Sequence, residues 1–286
     1  MIDRRAFLGT LGAACVAGVG LEGKSVDRLG MQLYTVRSEM EKDVDATLAR
    51  VAAIGYKEVE FAGYFKRTPG QIRDALKQNG LSAPAAHVDY PSLAEDKFPA
   101  VIEAAKTIGH QYLVNPWIDE TLRKEPDIWK RVAERFNRAG AAAKKAGIQF
   151  AYHNHHFEFA PAGTTTPYEL LLQQCDPALV KMELDLCWIS AAGKDPLDYF
   201  KRYPGRFPLV HVKGLARKPA DGAVTPIQNV MPDITEVGRN DVIDWKRIFA
   251  ASEQAGIRHY FVEHDIPKDP FESLKASYDY VKGLNF

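Results

Sequence analysis

From residue 28 to the C-terminus, short apolar runs alternate with longer segments whose apolar positions recur every three or four residues. The runs are "RLGMQLY" (28–34), "KEVEFA" (57–62), "SAPAAHV" (82–88), "QYLVNP" (111–116), "IQFAYHN" (148–154), "LVKMELD" (179–185), "FPLVHVK" (207–213) and "HYFVEHD" (259–265). Continuous apolar runs of this length read as strands covered on both faces, and the longer period between them reads as helices. "DVDATLARVAAIG", "FPAVIEAAKTIG", "WKRVAERFNRAGAAAKKAG" and "WKRIFAASEQAG" each end in Gly, which accepts the left-handed backbone that stops a helix. Eight strands with helices between them predict an α/β fold, a closed (β/α)8 barrel. A doubly wound sheet would more often use five or six strands, and no glycine-rich dinucleotide loop follows any of these runs. No shift in composition marks a domain boundary, so residues 26–286 read as one domain. The one long insertion, 214–243, is of a length that usually serves as a lid or binding loop.

With 286 residues, 46% of them hydrophobic, the chain can fill one large core. Its 37 basic and 37 acidic side chains leave no positive excess to release counterions from a phosphate backbone, so nucleic acid is not an expected partner. Cys15, Cys175 and Cys187 show no metal-ligand spacing and imply no disulfide framework. The helix faces "RDALKQNG" and "KRVAERFNR" read as solvated outer surface.

Residues 1–25 read as a targeting segment. Arg4 and Arg5 precede a weakly apolar run of small residues, and with Phe7 and Leu8 they resemble a twin-arginine export signal. Asp3 and Gly9 depart from the usual residues of that pattern. The run is too short and glycine-rich for a stable membrane span. A periplasmic location is therefore expected, with a lipid anchor at Cys15 as the alternative end of the same segment.

Polar residues at the C-terminal ends of barrel strands are the candidates for chemistry, because active sites of such barrels gather there. The filter selects Glu60, His87, Asn115, the cluster His153, His155, His156 and Glu158 in "AYHNHHFEF", then Glu183, Asp185, His211, Lys213, Glu263 and His264. Side chains alternate along a strand, so Glu183 shares a face with Asp185, His153 with His155, and His211 with Lys213. Several acids and imidazoles converging on one mouth would desolvate one another at high cost without a cation. A divalent metal resolves that conflict.

"MELDLCW", "LVHVKG" and "YFVEHD" at successive strand ends resemble the sugar phosphate isomerase/epimerase family with the xylose isomerase-like TIM barrel, to which endonuclease IV and inosose dehydratase are related. The resemblance spans nearly everything after the export segment. It implies one divalent metal ion, manganese, magnesium, zinc or cobalt, held by a carboxylate from the fifth strand, an aspartate from the sixth, a histidine from the seventh and a glutamate from the eighth. Asp185, His211 and Glu263 match the last three. His153 stands where many relatives carry the glutamate, and Glu158, taken ahead of His153, is expected to curl back as the fourth ligand. His153, His155 and Glu263 are then the expected proton-transfer groups, and Glu60, His87, Lys213 and Trp188 the expected substrate contacts.

The chemistry implied is removal of a proton next to the carbonyl of an α-hydroxyketone sugar, giving an enediolate. Reprotonation gives an isomerase or epimerase, which is the leading expectation. Loss of a β-substituent gives a lyase or hydratase on oxidised (3-keto) glycosides, and a non-catalytic exported sugar-binding protein is the third reading. A phosphodiester-cleaving enzyme fits poorly, lacking a basic DNA-binding face. The expected partner is a small carbohydrate, and homo-oligomer formation is left open.

Overall fold

The computed structural model describes residues 24–286. Arg4, Arg5 and Cys15 lie outside the described residues, as does all of the export segment but its last two residues. Eight parallel strands form where the apolar runs predict them: β1 Leu29–Gln32, β2 Glu58–Phe61, β3 Ser82–His87, β4 Tyr112–Asn115, β5 Gln149–His153, β6 Val180–Asp185, β7 Leu209–Val212 and, after a short pair named below, β10 His259–Val262. They close in the order β1-β10-β7-β6-β5-β4-β3-β2. The seam is made by Gly30, which pairs with Phe261 on one side and Glu58 on the other. The expected (β/α)8 barrel is the fold observed.

Helix boundaries follow local chemistry. Asp43 accepts from Ala46 N–H to start the helix Val44–Ile54, Thr68 and Gln71 form a capping box before Pro69–Gln78, and Asp269 accepts from Phe271 and Glu272 N–H before Pro270–Lys282. The longest helix, Ile128–Lys145, buries Ile128, Val132, Ala133, Phe136, Ala139 and Ala143 on one stripe and leaves its charges to solvent. Among the described residues no helix is long and apolar enough to cross a membrane.

Most of the core lies between strands and helices, and a small separate cluster fills the barrel lumen: Ala85, Tyr112, Val114, Ala151, Leu209 and Phe261. Gly30 belongs to that packing, since a Cβ there would stand 2.7 Å from the Phe261 ring. Above this apolar plug the inward positions turn polar. Gln32, Glu60, His87, His153, Glu183 and His211 each follow, two residues along, a residue of the plug level or its neighbour, so alternation aims them into the mouth.

The insertion is more ordered than a free lid. Gly214–Leu215 (β8) pairs antiparallel with Ile234–Thr235 (β9), and Leu215, Val230, Ile234 and Val237 are buried beneath it. Asp241 secures its end by accepting from the backbone N–H groups of Leu215, Gly238 and Ile243 and from Trp245 Nε1.

Candidate active site

His211, from β7, is the hub of the mouth. Its Nδ1 lies 2.9 Å from Glu263 Oε2 and 3.8 Å from Asp185 Oδ2, while its Nε2 lies 2.7 Å from Glu60 Oε2 and 3.2 Å from Glu183 Oε2. Two groups with ligand-type donors therefore share it: Asp185, His211 and Glu263 form one, and His87, His153, Glu183 and His211 the other, the donor atoms of each lying within 4.8 Å of one another. Glu183 Oε2 is approached by His87 Nε2 at 3.2 Å and by His153 Nδ1 at 3.3 Å, the latter without hydrogen-bond geometry.

Each carboxylate is aimed by the backbone that carries it. Asp185 ends β6 and caps the buried helix Leu186–Ala191, its Oδ1 accepting from Trp188 N–H at 2.7 Å, which leaves Oδ2 turned to the mouth. Asn154 Oδ1 accepts from Asp185 N–H at 3.1 Å and ties this corner to the end of β5. Gln32 Nε2 donates to Glu60 Oε2 at 2.7 Å. Lys213 is fully buried, and its ammonium reaches Glu263 Oε2 at 2.6 Å, Asp265 Oδ2 at 3.0 Å and Asp185 Oδ2 at 3.2 Å.

The electrostatics follow from burial opposed by charge. Burial alone would lower His87, but Glu60 and Glu183 raise it to about 9. His211 loses to burial too, yet the carboxylates of Glu183 and Glu263 hold it well above the ordinary imidazole value. His153 goes the other way, to about 3, through burial and the positive His211 beside it. His155 is also pushed well below its ordinary value, chiefly by desolvation. Burial raises Asp185 to about 6 even though Lys213 opposes the shift. Within one mouth, neighbouring charges thus push two imidazoles up while burial pushes two down.

Glu60 Oε1, Glu183 Oε1, Asp185 Oδ2 and His153 Nδ1 are buried and lack a hydrogen-bond partner, Asp185 Oδ2 meeting Lys213 only as an ion pair at 3.2 Å. Of five buried carboxyl groups at the mouth, Asp185, Glu263 and Asp265 meet the ammonium of Lys213, while Glu60 and Glu183 meet the imidazoles of His87 and His211. Orphaned carboxylate oxygens beside imidazole nitrogens are the donor set that a divalent cation satisfies, so the residues fit such an ion.

Not every expected residue joins this set. Glu158 is fully buried but its oxygens are used elsewhere: Oε1 accepts from Tyr152 Oη at 2.5 Å and Oε2 from His155 N–H at 2.8 Å. The short 3-10 turn Phe157–Phe159 carries it toward the wall of the barrel, and it belongs to neither donor group. The expected curl back to the mouth is not what the chain does here. Trp188, expected as a substrate contact, is fully buried behind two imidazoles, its ring 5.4 Å from that of His155 and 5.2 Å from that of His156. Asn115, out of phase with the lumen residue Val114, donates to Val88 O. His264 bonds Ser273 Oγ, and His156 bonds Thr225 O in the insertion. His155 is half-buried, with Nδ1 unpartnered, framed by Trp117 at 4.8 Å and Phe157 at 5.5 Å. Gln32 and Asp265 also join the mouth, and the signal for each is the inward alternation of its strand, Gly30 to Gln32 and Glu263 to Asp265.

A family model described as Xylose isomerase-like TIM barrel matches residues 48–285. The inosose dehydratase of Lacticaseibacillus casei is 30% identical over 270 residues, covering 83% of this chain and 89% of that protein. A sugar phosphate isomerase/epimerase from Parabacteroides distasonis ATCC 8503 superposes with a TM-score of 0.72 at 26% identity, over 94% of this chain and 99% of the other. The IOLI protein, solved with a bound zinc atom, shares the fold with a TM-score of 0.68 at 15% identity, over 91% of this chain and 99% of that one.

Proposed function

Since the chain belongs to the xylose isomerase-like TIM barrel family, we propose that it is a divalent-metal-dependent enzyme that removes the proton next to the carbonyl of a keto-sugar or keto-polyol. The reading rests on the set of buried carboxylate and imidazole atoms around His211 that have no hydrogen-bond partner. Asp185, His211 and Glu263 would hold the cation, with His153 as the donor from β5. When bound, it would supply Lewis-acid stabilisation of negative charge developing on a substrate oxygen.

The chain's own groups divide the remaining work. Glu183 and Glu60 hold the imidazoles of His87 and His211 in place through short contacts. Lys213 fixes Asp185, Glu263 and Asp265 in one array. His155, its basicity lowered by burial and one ring nitrogen without a partner, would accept the α-proton, with Trp117, Phe157 and Trp188 packed around its ring. The electron pair of the broken C–H bond forms a C=C bond as the β C–O bond breaks, and His155 returns its proton to the departing hydroxide, so that water is lost. This dehydratase outcome is supported by the Lacticaseibacillus casei relative. Reprotonation at carbon instead would give an isomerase or epimerase, the activity in the name of the Parabacteroides protein.

The test is to incubate the metal-loaded protein with a keto-inositol and with a 3-keto glycoside in deuterated water. Proton NMR should show α-proton exchange, and ultraviolet absorbance should show a conjugated enone if water is lost. His155→Gln should slow exchange by roughly 10²–10⁴-fold. No exchange with either compound would contradict the reading. Twin-arginine export is part of the proposal: replacing Arg4 and Arg5 with Lys should retain the protein in the cytoplasm, and unchanged periplasmic delivery would refute it.

A further inference from the structure

We infer that Glu158, together with Tyr152, is a positioning residue that aims the His155 imidazole; the inference rests on the reading of His155 as the proton acceptor. Tyr152 lies between the inward-facing Ala151 and His153 on β5, so its hydroxyl is on the wall side of the strand. There it donates to Glu158 Oε1, and the second oxygen accepts from the backbone N–H of His155. The carboxylate thus bolts the first residues after the strand to the strand itself.

Glu158 is fully buried, and the nearby cation Arg123 acts on it through its charge without a direct ion pair. A buried carboxyl without an ion pair costs desolvation, and an apolar side chain of similar size would serve packing better. Its two bonds are what it contributes, and one of them fixes the backbone from which the His155 side chain departs.

The ring is then held on its other sides. Phe157 lies nearly parallel to it, 10° apart in plane, Trp117 meets it edge-on at 86°, and Trp188 closes the third side at 33°. Arg123 covers the Phe157 ring at 3.7 Å. An imidazole locked by a backbone bond and three rings loses little freedom when it meets substrate, which is the condition for proton transfer at a fixed geometry.

The experiment uses the full metal-loaded chain, keto-inositol as probe, and the variants Glu158→Ala, Glu158→Gln, Tyr152→Phe and His155→Gln. Glu158→Ala should lower kcat for α-proton exchange by roughly 10²-fold with KM and metal content unchanged. Glu158→Gln still offers an oxygen to His155 N–H and should recover most of that loss, and Tyr152→Phe should show a smaller fall. Adding Glu158→Ala to His155→Gln should cost nothing further, because the aimed group is already gone. Independently of any substrate, the His155 amide should exchange with solvent faster in Glu158→Ala than in the native chain. If His155→Gln is slow but Glu158→Ala keeps the native rate, or if the double variant is additive, the positioning role is overturned alone. If His155→Gln keeps the native rate, the proton-acceptor reading fails, and the positioning inference with it. Loss of metal in Glu158→Gln would also overturn the inference. Should Glu158→Ala not fold, Glu158→Gln and Tyr152→Phe carry the same comparison.

Discussion

The two ends of the barrel use the same kinds of residue to opposite effect. At the N-terminal end, Glu58 accepts from Arg28 Nε at 3.1 Å and lies 2.7 Å from His259 Nδ1, so both of its oxygens are used. Nearby, buried Arg206 donates to the carbonyls of Val180, Leu172 and Cys175 at 3.1–3.2 Å. At the C-terminal end, Glu60, Glu183 and Asp185 are as deeply buried, yet each keeps an oxygen without a hydrogen-bond partner. A polar network closed on itself adds stability; one left open reserves its donors for something from outside. Burial and residue type do not distinguish the two, but the accounting of partners does.

Substitutions at the mouth should have the largest effect. Asp185→Ala should abolish metal binding and reduce turnover by more than the roughly 10–100-fold that loss of an outer-shell partner costs, as read by elemental analysis and initial rates. Its melting temperature in metal-free buffer should fall only modestly, because loss of the cap on Trp188 N–H is offset by removal of a costly buried carboxyl. The converse variant is Arg206→Leu, which leaves three buried carbonyls unpaired and should cost about 3 kcal/mol in denaturant unfolding while metal content stays native.

A titration sharpens the same contrast. His110 is buried, its Nδ1 bonded to Ala83 O at 2.7 Å, and burial lowers it from 6.5 to about 4. Its folded value lies below the unfolded one, so its contribution is fully present above pH 6.5 and is lost as pH falls from 6.5 through 4. The loss approaches about 3 kcal/mol at the acid limit, from the shift of 6.5 to about 4. His110→Asn should flatten that part of the stability curve. The smallest effect belongs to surface pairs: Lys106→Ala, which removes an exposed contact to Glu103, should change stability by no more than about 0.5 kcal/mol.

The sequence made the barrel legible because most strand positions are buried on both faces, so the strands read as short apolar runs broken only by the polar residues of the two barrel ends. The mouth was legible as far as strand alternation reaches: Asp185, His211 and Glu263 converge as expected. Alternation stops at His153, where β5 ends, and the turn Phe157–Phe159 then decides where Glu158 goes. Spacing alone could not foresee that its oxygens would be taken by Tyr152 and the His155 amide. Asn154 is another such case, since its bond to Asp185 N–H joins residues from two strands and exists only once the barrel closes. The insertion was legible as a long connection, while its β8–β9 pairing depends on two-residue strands too short to show a period.

On the proposed function, the open donors of the mouth, and not the closed carboxyl of Glu158, hold a divalent cation. The most direct measurement is elemental analysis of native protein, Asp185→Ala, His153→Gln and Glu158→Gln after loading with zinc or manganese and exhaustive dialysis. Native protein and Glu158→Gln should retain a stoichiometric cation, while Asp185→Ala and His153→Gln should lose it. Retention by Asp185→Ala, or loss by Glu158→Gln with retention by His153→Gln, would contradict the account.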